Sequence, residues 1–204
     1  MEDADVKKFN DIMIDIETFG QGYNAVVVQV AMSYFNRETG EIGDSTIINI
    51  DANDSLKYGF EMDKDTLDWW ATQPKEVFDS LSANAIPVEE ALANIKKFIK
   101  FGALIWCHST FDAPILGNMY RRVYGANKSV PWGYKNVRDI RTLCDLSKIN
   151  LELYDWEKEK THNAGDDVRF QIKYVTDACN MIKYNCSQEQ AMTVRKKVEE
   201  ILAK

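Results

Sequence analysis

Residues 11–18 read DIMIDIET, a short β-branched run that closes on Asp15, Glu17 and Thr18. Phe19 and Gly20 follow at once, the pattern of a strand leaving its sheet at a turn. Residues two apart on a strand point to the same face, so the Asp15 and Glu17 carboxylates project together from the end of an otherwise apolar strand. Two like charges so placed repel and are costly to desolvate unless a cation joins them. A strand-end acid pair facing water is the plainer reading, and Asp-x-Glu alone does not decide between the two.

Outward from this strand, apolar runs at Ala25 to Phe35 and Thr46 to Ile50 flank the turn-like NRETGEIGDS, so three consecutive strands predict an antiparallel meander. From Asp63, which can cap, the pattern turns helical, with Leu67, Trp70 and Ala71 on one face and Pro74 as the stop. Pro87 opens a clearer helix carrying Val88, Leu92, Ile95 and Ile99, and Gly102 ends it. ALIWC at 103–107 reads as a buried strand, followed by a helix from Ala113 to Tyr124 and a weaker strand and helix from Asn136 to Leu146. After the polar YDWEKEKTHN, a long helix presents Val168, Ile172, Val175, Cys179 and Ile182 as one stripe. Ser187 and Gln190 form a capping box for a last helix expected to turn Val194, Val198, Ile201 and Leu202 inward. The succession implies an α/β fold, a mixed sheet covered by helices.

The 204 residues include 25 Lys and Arg against 32 Asp and Glu, a net charge of −7, with 45% hydrophobic and 28% charged side chains. Those proportions exclude disorder, collagen and coiled coil. The length favours one domain over residues 1–204, burying roughly 70% of the unfolded chain's surface. The N-terminal MEDADVKKFND is acidic where a signal peptide is basic and then apolar, and no apolar run approaches the roughly 18 residues of a membrane span. The expectation is a cytoplasmic protein with no membrane partner. Cysteines at 107, 144, 179 and 186 form no Cys-x-x-Cys pair and read as reduced thiols. The acidic balance argues against coating long nucleic acid through counterion release, though not against gripping a chain end beside bound cations.

Two more clusters carry chemistry. Asp112 follows the ALIWC strand at the start of a helix, where it can cap, bind metal or do both. His162 lies in a polar turn, HNAGDD, that feeds the long helix. Asp167 directly precedes the first stripe residue, Val168, so it lies nearer the buried side than Asp166.

Taken together, DIET at 15–18, FD at 111–112 and HNAGDD at 162–167 resemble the DEDDh 3′→5′ exonucleases of the RNase H-like superfamily. Those enzymes carry Asp-x-Glu on the first strand, a Phe-Asp acid opening a later helix, and His-x-x-x-x-Asp near the end. Within them the chain is most similar to the exonuclease A proteins of T-even phages and related bacterial exoribonuclease-like domains. LDWWATQP around Trp69 and Trp70, FDAPIL at 111–116 and RDIRTL at 138–143 carry that similarity. It spans about residues 11 to 185 and leaves the last helix outside. One departure is His108, where many members have Asn four residues before the middle acid; it either substitutes as a polar contact or packs.

The resemblance implies an RNase H-like sheet and hydrolysis of phosphodiester bonds with two divalent cations, Mg²⁺ or Mn²⁺, suited by hard oxygen ligands. It implies that Asp15 bridges both ions, Glu17 and Asp167 complete the position holding the attacking water, and Asp112 holds the second ion, partly through water. His162 is the implied general base; an imidazole titrates near 6.5, where the Tyr of the sister DEDDy group starts near 10. The backbone of Thr18 and Phe19 is the implied seat of the terminal nucleoside, with the Phe19 ring available for stacking. Arg138 and Arg141 either meet phosphate or solvate a helix start, whereas Lys96, Lys97, Lys100 and Arg195-Lys196-Lys197 read as solvated faces. Of Trp69 and Trp70, about 100° apart around a helix, at most one reaches the site.

The implied activity is release of nucleoside 5′-monophosphates from 3′ ends of single-stranded DNA. The alternatives are RNA or short oligoribonucleotides, and a non-catalytic nucleic-acid-binding module. No G-x-x-x-x-G-K-[ST] loop, G-x-G-x-x-G after the first strand, or G-x-S-x-G elbow is present.

Overall fold

In a computed structural model, residues 9–125, 130–154 and 162–203 are described. The central sheet has five strands in the order β3-β2-β1-β4-β5. β1 (Asp11–Thr18), β2 (Val27–Phe35) and β3 (Ile42–Asn49) pair antiparallel, and β4 (Leu104–Cys107) and β5 (Val137–Asp139) add in parallel beside β1. Short turns join the first three strands. The parallel strands need crossovers, supplied by α1 (Ala52–Lys57), α2 (Lys64–Trp70), α3 (Lys75–Ser80) and α4 (Val88–Phe98) before β4, and by α5 (Asp112–Tyr124) before β5. Among the described residues, α6 (Ile140–Ser147), α7 (Ala164–Tyr184) and α8 (Gln188–Leu202) follow. Most of the polar 154–163 stretch lies outside the described residues.

The alternation in β1 and β2 divides the core. Ile12, Ile14, Ile16, Val28, Val30, Met32 and Tyr34 face α4 and α5, while Met13, Ala31 and Phe35 face α6 and α7. Asp15, Glu17 and Gln29 share the second face by the same period of two. β4 pairs only with residues 11–13 of β1, so Asp15 and Glu17 extend past its C-terminal end. That edge, where parallel strands finish, is the usual place for a ligand crevice in such sheets.

Several local expectations change. β3 begins at Ile42, inside the stretch expected to be a turn, and α1 and α3 are short helices without an apolar periodicity of their own. Asp63 takes the N-cap position of α2 but makes no cap bond; its Oδ2 accepts from the Gln21 amide at 2.7 Å. The four cysteines are free thiols. No helix among the described residues is long and apolar enough to cross a membrane.

The capping box of α8 is present, but the helix is rotated from the expected orientation. Val194, Ile201 and Leu202 are exposed, as is Ile182 of α7, and the buried residues of α8 are Ala191 and Arg195. Arg195, expected in a solvated basic run, is instead 3% exposed. Its Nε donates to both oxygens of fully buried Asp177 on α7, at 2.9 and 3.1 Å. Tyr154 donates its hydroxyl to the same carboxylate at 2.7 Å. An ion pair offsets its desolvation only with such additional hydrogen bonds, and this one selects the face that α8 turns inward. Asp177→Ala strands the Arg195 charge and should cost about 3–5 kcal/mol in chemical denaturation. An Asp177→Leu/Arg195→Met pair should cost less than that single change; a larger loss in the pair would contradict the account.

Candidate active site

Strand alternation, one turn and one helix start bring the expected acids together. Asp15 and Glu17 leave the end of β1 on the α7 face. Asp112 is the first residue of α5, and its side chain does not cap forward: Oδ2 accepts from the His108 amide at 2.7 Å, across the turn that closes β4. Asp167 lies in the first turn of α7, buried, with Asp166 beside it exposed. All of Asp15, Glu17, Asp112, His162 and Asp167 line one cleft of about 740 Å³.

Among the described residues, two trios of donor atoms stand there, Asp15–Glu17–Asp167 and Asp15–His108–Asp112, each with its atoms within 4.8 Å of one another. Asp15 belongs to both. Asp15, Asp112 and Asp167 are 7%, 1% and 7% exposed, so these carboxylates are largely withdrawn from water. Burial, then the neighbouring Asp15 charge, push the Asp112 carboxyl well above the usual carboxylate range, against the pull of the His108 and Ile16 amides and of Arg141. Buried acids clustered this way suit divalent cations held by oxygen.

α7 is held over the acids by two glutamines. Gln29 of β2 accepts the Ala164 amide at 2.8 Å and donates to Asn49, fixing the start of α7 against the sheet. Gln171, one turn beyond Asp167, donates Nε2 to Asp15 Oδ1 at 2.7 Å. Gly165 allows the close approach of that first turn, because a Cβ there would meet Ile47 Cδ1 at 2.4 Å. His162, just before the Asn163 cap, has a left-handed backbone with φ of 52°, sparsely populated for residues other than glycine. Its imidazole meets Trp69 edge-on, with ring centroids 4.8 Å apart at 88°. Trp70 is buried and donates Nε1 to Thr18 O, so only Trp69 of the pair reaches the site.

The expected substrate contacts divide. Arg141 lines the cleft, whereas Arg138 turns away and donates to the Lys135 and Val137 carbonyls. Asp139 sets this arrangement: it caps α6 through Thr142 and accepts from the amide and hydroxyl of Ser109. Burial works against its ionisation, but the Ser109 and Thr142 bonds together hold its carboxyl down to about 2. Glu17 and Gln21 line the cleft on either side of Thr18 and Phe19, which are not among its lining residues. The Thr18 hydroxyl donates to Gly20 O, and the Phe19 amide and carbonyl bond Val26 and Asp63. The Phe19 ring stacks on Phe78 with centroids 6.0 Å apart and meets Trp70 edge-on.

The sequence reading passed over Gln171, Gln29 and Tyr174, and it took Phe111 only as a motif neighbour of Asp112 and Cys144 only as a reduced thiol. Gln171 was detectable, since four residues after Asp167 on a helix is the same face. Phe111, Cys144 and Tyr174 line the cleft, and burial, then Asp139, push the Cys144 thiol up to about 11. Burial likewise raises the Tyr174 phenol, so both stay neutral walls.

Known proteins resemble this chain in sequence and in fold. A phage T4 exodeoxyribonuclease is 30% identical over 205 residues, covering 80% of this chain and 88% of the relative. Among solved structures, an Exonuclease I structure described as suggesting how processivity is achieved aligns at TM-score 0.61 and 15% identity, over 91% of this chain and 43% of that one. Exonuclease I of Methylocaldum szegediense aligns at 0.57 and 16%, over 84% and 40%, and E. coli Exonuclease I in complex with a 5cy-dA13 oligonucleotide at 0.57 and 15%, over 84% and 40%. These show the shared fold, of which the chain spans about two-fifths of the Exonuclease I length. The sequence of the 3′-5′ exoribonuclease Rv2179c-like domain family matches residues 10–179, the span that holds all five clustered residues, and the chain belongs to this family of 3′-5′ exonucleases.

Proposed function

We propose that this chain hydrolyses single-stranded DNA from its 3′ end, releasing nucleoside 5′-monophosphates, with Asp15, Glu17, Asp112 and Asp167 as ligands of two divalent ions and His162 as general base. The observation that carries the reading is Asp15 standing in both donor trios at the floor of one cleft. When bound, Mg²⁺ or Mn²⁺ would supply charge stabilisation at the phosphate and lower the barrier to forming the attacking hydroxide. Asp15 would be the shared ligand, Glu17 and Asp167 the partners on one side and Asp112 on the other. Gln171 holds one Asp15 oxygen, which fixes the direction of the other.

His162 takes the proton of the attacking water at an imidazole nitrogen. Its turn is pinned at the Asn163 cap, and Trp69 restricts the ring. Arg141, on the α6 wall, offers the guanidinium that meets a phosphate oxygen. Phe111, partly exposed and next to Asp112 in the cleft wall, offers an aromatic surface for a terminal base, the role expected of Phe19, whose ring contacts Phe78 and Trp70.

DNA is favoured by the T4 exodeoxyribonuclease and by Exonuclease I structures that hold single-stranded oligonucleotides. RNA is the second reading, favoured by the family's description as an exoribonuclease. Matched single-stranded DNA and RNA, labelled at either end and incubated with Mn²⁺ or EDTA, separate them. The reading predicts immediate mononucleotide release from 3′-labelled DNA and progressive shortening of 5′-labelled DNA, both stopped by EDTA. Faster turnover of RNA would transfer the assignment to RNA, and shortening of neither polymer would overturn it. In the same assay His162→Ala should lose at least about 10²-fold in rate and the acidic limb of the pH profile; an unchanged profile would remove His162 as the base.

Asp112 yields a stability prediction. Its folded carboxyl holds a proton more tightly than the unfolded one, so without metal its contribution to stability falls as pH rises from about 3.9 through the raised value. A divalent ion binds the ionised form and reverses that loss. The rise in Tm with saturating Mn²⁺ over EDTA should therefore be greater at about pH 7.5 than at about pH 5. Equal increments at both would contradict metal binding at Asp112.

A further inference from the structure

The two donor trios differ in kind. Glu17, Asp167 and Asp15 offer oxygen alone, whereas the trio around Asp112 includes the imidazole of His108. The turn that carries His108 is closed: the Phe111 and Asp112 amides both donate to the His108 carbonyl, at 2.8 and 3.0 Å. The His108 amide holds Asp112 Oδ2 at 2.7 Å, and its Nδ1 lies 3.7 Å from that same oxygen. The side chain is 25% exposed and lines the cleft, so it borders both the buried acids and the space open to substrate.

We propose that His108 supplies an imidazole nitrogen to the ion held between Asp15 and Asp112, so that this position prefers a first-row transition ion such as Mn²⁺ over Mg²⁺. This rests on the two-ion reading above and deepens it. The physical reason is ligand type. Mg²⁺ favours an octahedron of hard oxygens, keeps several waters and exchanges one for imidazole reluctantly. First-row transition ions accept imidazole more readily than Mg²⁺ does, an advantage that is smallest for Mn²⁺ and rises along the row. The all-oxygen position carries no such bias, so the two positions are chemically distinct and one cleft can hold unlike ions. A neutral imidazole also adds a donor without adding a third negative charge beside two buried carboxylates.

The chain has two histidines, His108 and His162, which makes the test spectroscopic as well as kinetic. The full-length protein is titrated with Mn²⁺ alone and with Mg²⁺ alone, and pulsed EPR of the Mn²⁺ form reads nitrogen coupled to the ion. Wild type and His162→Ala should show imidazole nitrogen coupling, and His108→Gln, which keeps size and hydrogen bonding, should lose it. His108→Gln should also weaken one of two Mn²⁺ affinities by about 10-fold or more, with a smaller change for Mg²⁺. No nitrogen coupling in wild type, or coupling retained in His108→Gln, would overturn the proposal.

Asp15→Asn separates this failure from that of the parent reading. If it binds Mn²⁺ as wild type does, the two-ion assignment falls and takes the His108 proposal with it. If it loses Mn²⁺ while His108→Gln keeps both the coupling and the affinity, only the His108 assignment falls.

Discussion

The structure turns on carboxylates placed where water barely reaches them. Asp15 and Asp112 lie at the C-terminal edge of the parallel strands, almost fully buried, and burial and the Asp15 charge both raise the cost of ionising Asp112. An arrangement like that is unfavourable in isolation, and folds keep such local costs where function requires them. Much of the surrounding structure offsets this one. Backbone amides of His108 and Ile16 reach Asp112, Arg141 lends its field, and Gln171 binds Asp15. A cation would complete what these groups leave partial.

The long C-terminal helix is where stability and chemistry meet. Its first turn carries Asp167 and follows His162, its second carries Gln171, and its middle carries Asp177. Gln29 fixes the start against β2, while Asp177, Tyr154 and Arg195 anchor the centre to the last helix and to the residues before the 155–161 segment. Rotation or sliding of this helix would move an acid, the proposed base and the glutamine together. The Arg195 pair thus lies remote from the cleft yet constrains the element that forms one of its walls.

Four of the five clustered residues carry a local signal in the sequence, but what joined them and His162 into one site was the resemblance of three ordered motifs to the DEDDh exonucleases. Asp15 and Glu17 share a face by strand alternation, Asp112 opens a helix after a buried strand, and Asp167 borders an apolar stripe. The mixed sheet was legible from its spaced apolar runs and helical periodicities. What failed depended on tertiary contact. Val194, Ile201 and Leu202 suggest an inward face for α8, but a buried ion pair between Arg195 and Asp177 overrides that pattern, and no local signal in the Arg-Lys-Lys run reveals a partner eighteen residues earlier. Phe19 has the right chemistry for a base platform, yet its partly buried ring contacts Phe78 and Trp70, distant in sequence. Arg138 and Arg141 look equivalent in RDIRT, and only the backbone path at the Asp139 cap separates the one that faces the cleft from the one that bonds its own carbonyls.

The central claim is that Asp15 is shared by two ions. Anomalous diffraction from crystals soaked in Mn²⁺ with a nucleoside 5′-monophosphate measures it directly. The account predicts two peaks about 3.5–4 Å apart, one toward Glu17 and Asp167 and the other toward Asp112, with an Asp15 oxygen between them. A single peak away from Asp15, or two peaks that do not share it, would contradict the account.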